Sequence, residues 1–377
     1  MTINQPTVTP TQLNMYSEPI THIYRALEDE IFLQIAKRLK TTGIVDKDKV
    51  LEWQVEKMND LRLINKETVR ALSKTTGIAE KEIRKAIHDV GIDSINSVDH
   101  ELVNHKETLP TPTQTSVILD SYVNQTFREL DNFVNQSLIN TQYGRGTVSR
   151  TYQKIVEETT AKVMTGTTTT NQAVAETVIK WSKRGINTGF VDKGGNVWNV
   201  ENYARTVVRS TVNRTYNDLR MSRMDEYNVD LVLVSALPDP RVICGEIQGK
   251  VASMKKPGEN KSKYPSIYNY GYETPGGIRG INCRHTLFPF IEGLNENNQP
   301  QYSQEEMARS RELRQKQRYH ERQVREAKRS LKLAEEIGEK EVIEKQKKLL
   351  RNRQASTREF VRANDLTRRY DLEKVII

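Results

Sequence analysis

The sequence predicts a mainly α-helical chain that carries one small α+β module. Three observations point there. Apolar residues recur every three to four positions through otherwise polar stretches, as in Ile20, Ile23, Tyr24, Leu27, Ile31, Ile35 and Leu39, the period of an amphipathic helix. The segment Asp230–Glu292 departs from that habit: it holds both cysteines, seven glycines between Gly245 and Gly280, and β-type apolar runs. The last 75 residues carry 21 Lys+Arg against 14 Asp+Glu, which is +7 of the chain's net +9, in a pattern that reads as charged helix.

Taken in order, residues 1–15 are rich in Thr, Pro and Asn and read as an extended arm. Residues 16–92 read as a helical N-terminal domain, with helices at Tyr16–Lys40 and Asp46–Asn59. Within it, Glu67–Gly91 has the outline of two short helices joined at Gly77, a helix-turn-helix-like unit. Lys81, Arg84 and Lys85 on its outer surface are interleaved with Glu80, Glu82 and Asp89, which repel phosphates. Residues 93–115, with LPTPTQT, read as a linker, and 116–185 as a helical region split at a threonine run that suits a loop and an N-cap.

Residues 186–294 are expected to form the α+β module. Phe190–Trp198 has apolar ends around Lys-Gly-Gly-Asn, the pattern of a β-hairpin. Val200–Tyr227 reads as a long helix, Val229–Val234 as a buried strand closed by prolines, and Thr286–Ile291 as a short strand with a proline, placed at a sheet edge. Residues 303–377 read as a basic helical hairpin turning at Gly338. Val324, Ala327, Leu331 and Ala334 form its narrow apolar seam, and Arg318, Arg322, Arg325 and Arg329 share one face and offer a nucleic-acid-binding stripe.

The chemistry-bearing residues gather at Cys283-Arg284-His285 and Cys244. Thiolate and imidazole are ligands zinc prefers, yet neither cysteine sits in a CxxC pair. A nucleophilic cysteine served by His285 would need an orienting group that the sequence does not show. The third reading has small buried thiols, Arg284 and His285 bonded to carbonyls, and glycines for tight turns. That structural reading is adopted, with no catalytic residue, metal or cofactor assigned and Cys244, Cys283 and His285 as the metal candidates. Chain length permits two or three domains. No run of about 18 apolar residues would span a membrane, no secretory pattern opens the chain, and two cysteines cannot form a disulfide scaffold.

The run GYETPGGIRGINCRHTLFPFIEG resembles the glycine-rich signature of the phage minor capsid protein 2 family. DPRVICGEIQGKV resembles its arginine and QGKV element, and more distantly that of MuF-like head morphogenesis proteins. DKGGNVWNVENYARTVVRSTVNRTYND and RQKQRYHERQVREAKRSLKLAEE resemble its central and tail helices. The resemblance picks out Tyr203, Arg209, Asn213, Arg214, Arg241, Gly249, Gly271, Gly280, Asn282, Cys283, Arg284 and His285. Ile247, Cys244 and Arg279 stand where tryptophan, histidine and a second cysteine are common in that family. What the resemblance implies is a MuF-like α+β module and a minor capsid protein inside a tailed-phage head, made in the host cytoplasm. It also implies association with the portal protein, contact with major capsid or scaffold protein and with packaged DNA, and a part in head assembly and in genome packaging or delivery. Two other classes stay open from the residues alone: an enzyme, active or degenerate, in the glycine-rich module, and a DNA-binding protein using residues 67–91.

Overall fold

The computed structural model describes residues 8–41, 45–103, 107, 109–110, 112, 114–135, 138, 146–166 and 168–375. Ten α-helices are described: α1 (Pro10–Leu39), α2 (Val50–Asn59), α3 (Leu61–Leu102), α4 (Thr115–Leu130), α5 (Thr147–Met164), α6 (Thr170–Arg184), α7 (Val200–Glu226), α8 (Val242–Ile247), α9 (Gln304–Ile337) and α10 (Lys340–Ala363). Five strands accompany them: β1 (Asn187–Val191), β2 (Val197–Asn199), β3 (Leu231–Val234), β4 (Val251–Ser253) and β5 (Leu287–Phe290). The chain is therefore mainly α with small antiparallel sheets, as its periodicity predicts.

The chain divides into two compact units, each assembled from three stretches. One comprises residues up to Thr21, Glu80–Glu129 and Arg205–Arg314. Its sheet has the order β4-β3-β5, antiparallel throughout, with Val232 opposite both Ala252 and Pro289. Val232 and Val234 on one face pack with Val98 and Leu102 of α3, Met224 and Tyr227 of α7, Ile247, Ile278 and Leu287. Leu233 on the other face joins Val251, Phe288 and Phe290. Burial on both faces explains why β3 is an unbroken apolar run rather than an alternating one.

The other unit comprises His22–Ala79, Leu130–Ala204 and Gln315–Ile377. Tyr24, Leu27, Ile31, Ile35 and Leu39 of α1 are all buried in it. The apolar face of this helix is thus filled within the chain. Helices α5 and α6 pack together, and α6 starts on Thr169, whose hydroxyl accepts from Gln172 N–H at 3.2 Å. The hairpin β1-β2 turns at Lys193–Gly195 and carries Phe190 against Trp198 and Tyr203. Gly338, at φ +87°, joins α9 to α10, and the His320 ring stacks on Phe360 at 4.7 Å between them.

Several sequence expectations need correction. The arm, whose residues 1–7 lie outside the described set, becomes helix at Pro10. Thr9 and Gln12 form a reciprocal capping box, Thr9 N–H donating to Gln12 Oε1 at 2.7 Å and Gln12 N–H to Thr9 Oγ1 at 3.3 Å, and proline suits the first helical position. Residues 67–91 are no helix-turn-helix: Gly77 and Gly91 lie inside the single helix α3. A glycine in a helix interior costs only about 1 kcal/mol against alanine, too little to break a helix of 42 residues. The same helix runs through the first ten residues of the expected linker. Helix α4 passes at Leu130 into a π turn, Asp131–Asn135, and most of 136–145 lies outside the described residues. In the tail seam Leu333 is buried where Leu331 was expected; Leu331 is half-buried.

Two glycines separate these accounts by sign. A Cβ at Gly77 meets nothing within 4 Å, so Gly77→Ala is expected to stabilise the protein by about 0.5–1 kcal/mol; a turn at that position would reverse the effect. A Cβ at Gly277 would lie 1.9 Å from the Gly271 carbonyl oxygen, and Gly277→Ala is expected to destabilise by roughly 2 kcal/mol or more. Urea unfolding of both variants checks the pair.

Candidate functional site

The glycine-rich module is organised by one polar row on α7. Asn217, Arg220 and Arg223, spaced by three, share a helix face and are buried. Asn217 Oδ1 accepts from Leu287 N–H at 3.2 Å, and Arg220 Nε donates to the Leu287 carbonyl at 2.9 Å. These two side chains therefore occupy the outer edge of β5 as another strand would. Pro289, two residues on, presents its missing N–H to the same outer side, so the ladder with β3 loses nothing. Arg220 also grips Glu101 of α3 with both carboxylate oxygens, at 3.0 and 2.8 Å. Arg223 does the same to Asp99, at 2.6 and 2.9 Å, and donates to the carbonyls of Leu109 and Pro110.

The signature residues are distributed around this row. Gly271 and Gly249 have φ of +65° and +66°, and a Cβ at Gly280 would lie 2.1 Å from the Thr274 carbonyl oxygen. Arg241 donates to the Gly277 carbonyl at 2.9 Å. Arg284 bonds the Asp239 carbonyl at 2.8 Å and its carboxylate at 2.9 Å. Asn282, also at positive φ, donates its N–H to Ser210 Oγ at 3.1 Å. Arg279 is buried and pairs with Asp218, with Tyr272 Oη 2.7 Å from its guanidinium. Arg209 is half-buried on α7, Asn213 buried and Arg214 exposed. Tyr203 belongs to the other unit, in an aromatic group with Phe133 and Phe190. The buried row itself escaped the sequence reading. Its signal was three polar residues at helical spacing beside the core positions Val212, Tyr216 and Leu219.

The structure brings the three metal candidates together. Cys244 lies on the six-residue helix α8, while Cys283 and His285 flank Arg284 just before β5. All three are buried, and one ligand atom from each lies within 4.8 Å of the others. Cys283 Sγ is 3.6 Å from His285 Nδ1, and His285 Nε2 is 3.1 Å from Gln248 Oε1. The neighbouring Cys244 thiol lowers the Cys283 pKa well below the ordinary thiol value against the opposing effect of burial, with His285 adding to it, and the Cys283 thiol raises that of Cys244. At 2% exposure Cys283 cannot meet a substrate without the loop opening.

The proposed basic stripe is overturned in half its members. Arg325 and Arg329 face the interior of their unit at 9% and 7% exposure. Arg325 pairs with Glu201 at 2.9 and 3.1 Å, joined there by Arg25 at 3.1 Å. Arg329 pairs with Asp29 and donates to the Ser182 carbonyl at 3.1 Å. Three buried carboxylates, Glu28, Asp29 and Glu201, need this positive charge, since an unpaired buried charge costs several kcal/mol. Arg318 and Arg322 remain exposed.

Glu28 in that group is pushed up from 4.5 to about 7, chiefly by burial; Arg329 and the Ile186 N–H, 2.6 Å from Oε1, oppose the rise. Between those pH values the folded chain holds a proton that the unfolded chain releases. Its contribution to stability is complete below about pH 4.5 and lost as pH rises through about 7. Glu28→Gln is expected to flatten this fall, which is of the order of 1–3 kcal/mol. Urea unfolding at pH 5 and pH 8 measures it, and equal pH slopes for the two proteins would contradict it.

Comparison with known proteins bears on the whole arrangement. The model of the family described as phage minor capsid protein 2 matches residues 8–362. A structural protein of Lactococcus phage LL-H is 36% identical over 362 residues, covering 93% of this chain and 97% of that protein. A structural protein of Lactococcus phage mv4 is 47% identical over 114 residues, covering 30% of this chain and 93% of that protein. No solved structure matches the chain. Among the described residues no helix is long and apolar enough to cross a membrane. A match that spans the buried α1 core, the polar row of α7, the glycine-rich loop and the tail hairpin assigns the chain to the phage minor capsid protein 2 family.

Proposed function

We propose that the chain is a minor component of a tailed-phage head, made in the host cytoplasm and held inside the head by the portal protein. There it serves head assembly and the packaging or delivery of the genome. Membership of the minor capsid family carries this reading, and its role is structural rather than catalytic. The signature residues of the glycine-rich module support the second part: Arg241 and Arg284 bond backbone carbonyls, Arg284 also pairs with Asp239, and the Asn282 N–H bonds a neighbouring hydroxyl, which shapes a loop rather than a substrate site.

Helix α1 offers no partner surface, because its apolar face is already filled within the chain. Helix α2 is the better platform. Val50 and Trp53 are buried, whereas Leu51 and Val55, four apart on one face, are 54% and 64% exposed. Exposed apolar residues at helical spacing suit docking on another protein, and the portal is the partner proposed; the major capsid and scaffold proteins are further contacts. Non-specific contact with packaged DNA moves from α9 to α10. Lys348, Arg351, Arg358 and Arg362 there are exposed, and their spacings of three, seven and four keep them on one helix face.

Leu51→Asp with Val55→Asp, made in the full chain, is expected to reduce co-purification with the portal protein at least tenfold while leaving the thermal unfolding midpoint unchanged, since both residues are surface-exposed. Full recovery of the portal with the doubly substituted chain would refute the α2 surface. Failure of the unsubstituted chain to co-purify would refute portal association itself.

A further inference from the structure

We propose that Cys244, Cys283 and His285 bind one zinc ion, which clips α8 to the loop leading into β5. Two sulfurs and an imidazole are a soft donor set of the kind zinc selects over magnesium or calcium. Tetrahedral coordination, with Zn–S of about 2.3 Å and Zn–N of about 2.0–2.1 Å, places a sulfur and a nitrogen ligand about 3.6 Å apart. Cys283 Sγ and His285 Nδ1 already stand at 3.6 Å. The Cys244 sulfur lies within 4.8 Å of the Cys283 sulfur and of a ring nitrogen of His285, so a small inward movement completes three corners of the tetrahedron.

The surroundings hold the imidazole in the state that a metal needs. Gln248 Oε1 accepts from the Leu237 N–H at 3.0 Å, and Gln248 Nε2 is turned to Met307 Sδ at 3.0 Å. Both contacts fix the amide with its oxygen towards His285. That oxygen can only accept, so His285 Nε2 carries the proton and Nδ1 turns its lone pair to Cys283. This is the arrangement in which a neighbouring acceptor orients a metal-bound histidine. Binding is balanced by releasing the two thiol protons: both Cys S–H bonds break, two Zn–S bonds form, and the dication neutralises the two thiolates. A water takes the fourth position. The ion would join chain positions 244 and 283 across the glycine-rich loop, where no disulfide is present.

The test uses the untagged full chain, made with zinc in the medium and purified in reducing, chelator-free buffer. Elemental analysis is expected to find about one zinc per chain, and cobalt(II) in its place is expected to give thiolate-to-metal charge-transfer absorption with the intense visible bands of a tetrahedral site. Removing the ion with a chelator is expected to lower the unfolding midpoint, and zinc, but not magnesium, is expected to restore it. Cys283→Ser and His285→Gln are expected to abolish the charge-transfer spectrum or shift it. Gln248→Leu, a positioning change, is expected to weaken binding about 10- to 100-fold while keeping the spectrum. The proposal is overturned if the unsubstituted chain, with both thiols reduced, holds less than about a tenth of a zinc per chain and gives no cobalt charge-transfer band. That measurement decides even if every variant fails to fold.

Discussion

One guanidinium organises the glycine-rich module. Arg220 is fully buried, and its donors go to the two oxygens of Glu101 and to the Leu287 carbonyl. Its plane lies over the rings of Tyr216 and Phe288. Burial by itself would lower its pKa, but Glu101 and Tyr216 together more than offset that and raise it, so the charge is retained in the core. Breaking such a pair leaves a buried charge uncompensated, at a cost of about 3–5 kcal/mol. Because Arg220 and Asn217 fix the outer edge of β5, they also set where the preceding residues fall, and with them Cys283 and His285. The signature residues are the visible part of an arrangement whose anchor lies on α7 and α3.

Sequence reasoning recovered whatever depends on local period and turn chemistry. β3 is a two-sided apolar run, β5 tolerates a proline because it is an edge, and the Lys-Gly-Gly-Asn hairpin and the Gly338 reversal use residues suited to turns. What it missed divides by cause. The capping box Thr9-x-x-Gln12 was legible, and the proline- and threonine-rich composition around it masked the signal. The six residues of α8 contain Gly245 and are too short to show a period. The interior position of Gly77 was misread as a turn because its small cost in a helix was taken as a break.

The arginine stripe failed for a different reason. Spacing shows which residues share a face of a helix, but not whether that face looks outward. Arg325 and Arg329 turn inward because Glu28, Asp29 and Glu201 are buried in the same unit, and those carboxylates lie more than a hundred residues away in sequence. The apolar face of α1 illustrates the converse. That regular face is filled by the chain itself, while the modest α2 leaves Leu51 and Val55 uncovered. The chain can thus keep a polar-rich sequence and still fold, by spending much of its charge on internal pairs.

The buried α7–α3 pair holds the signature segment in shape, and a double-mutant cycle at Arg220 and Glu101 measures that hold. Arg220→Met and Glu101→Leu, each alone, should lower the free energy of unfolding by about 3–5 kcal/mol, and the double substitution by much less than their sum, with a coupling of roughly 2 kcal/mol or more. Additive losses, or single losses below about 1 kcal/mol, would show that the module is held by something other than this pair.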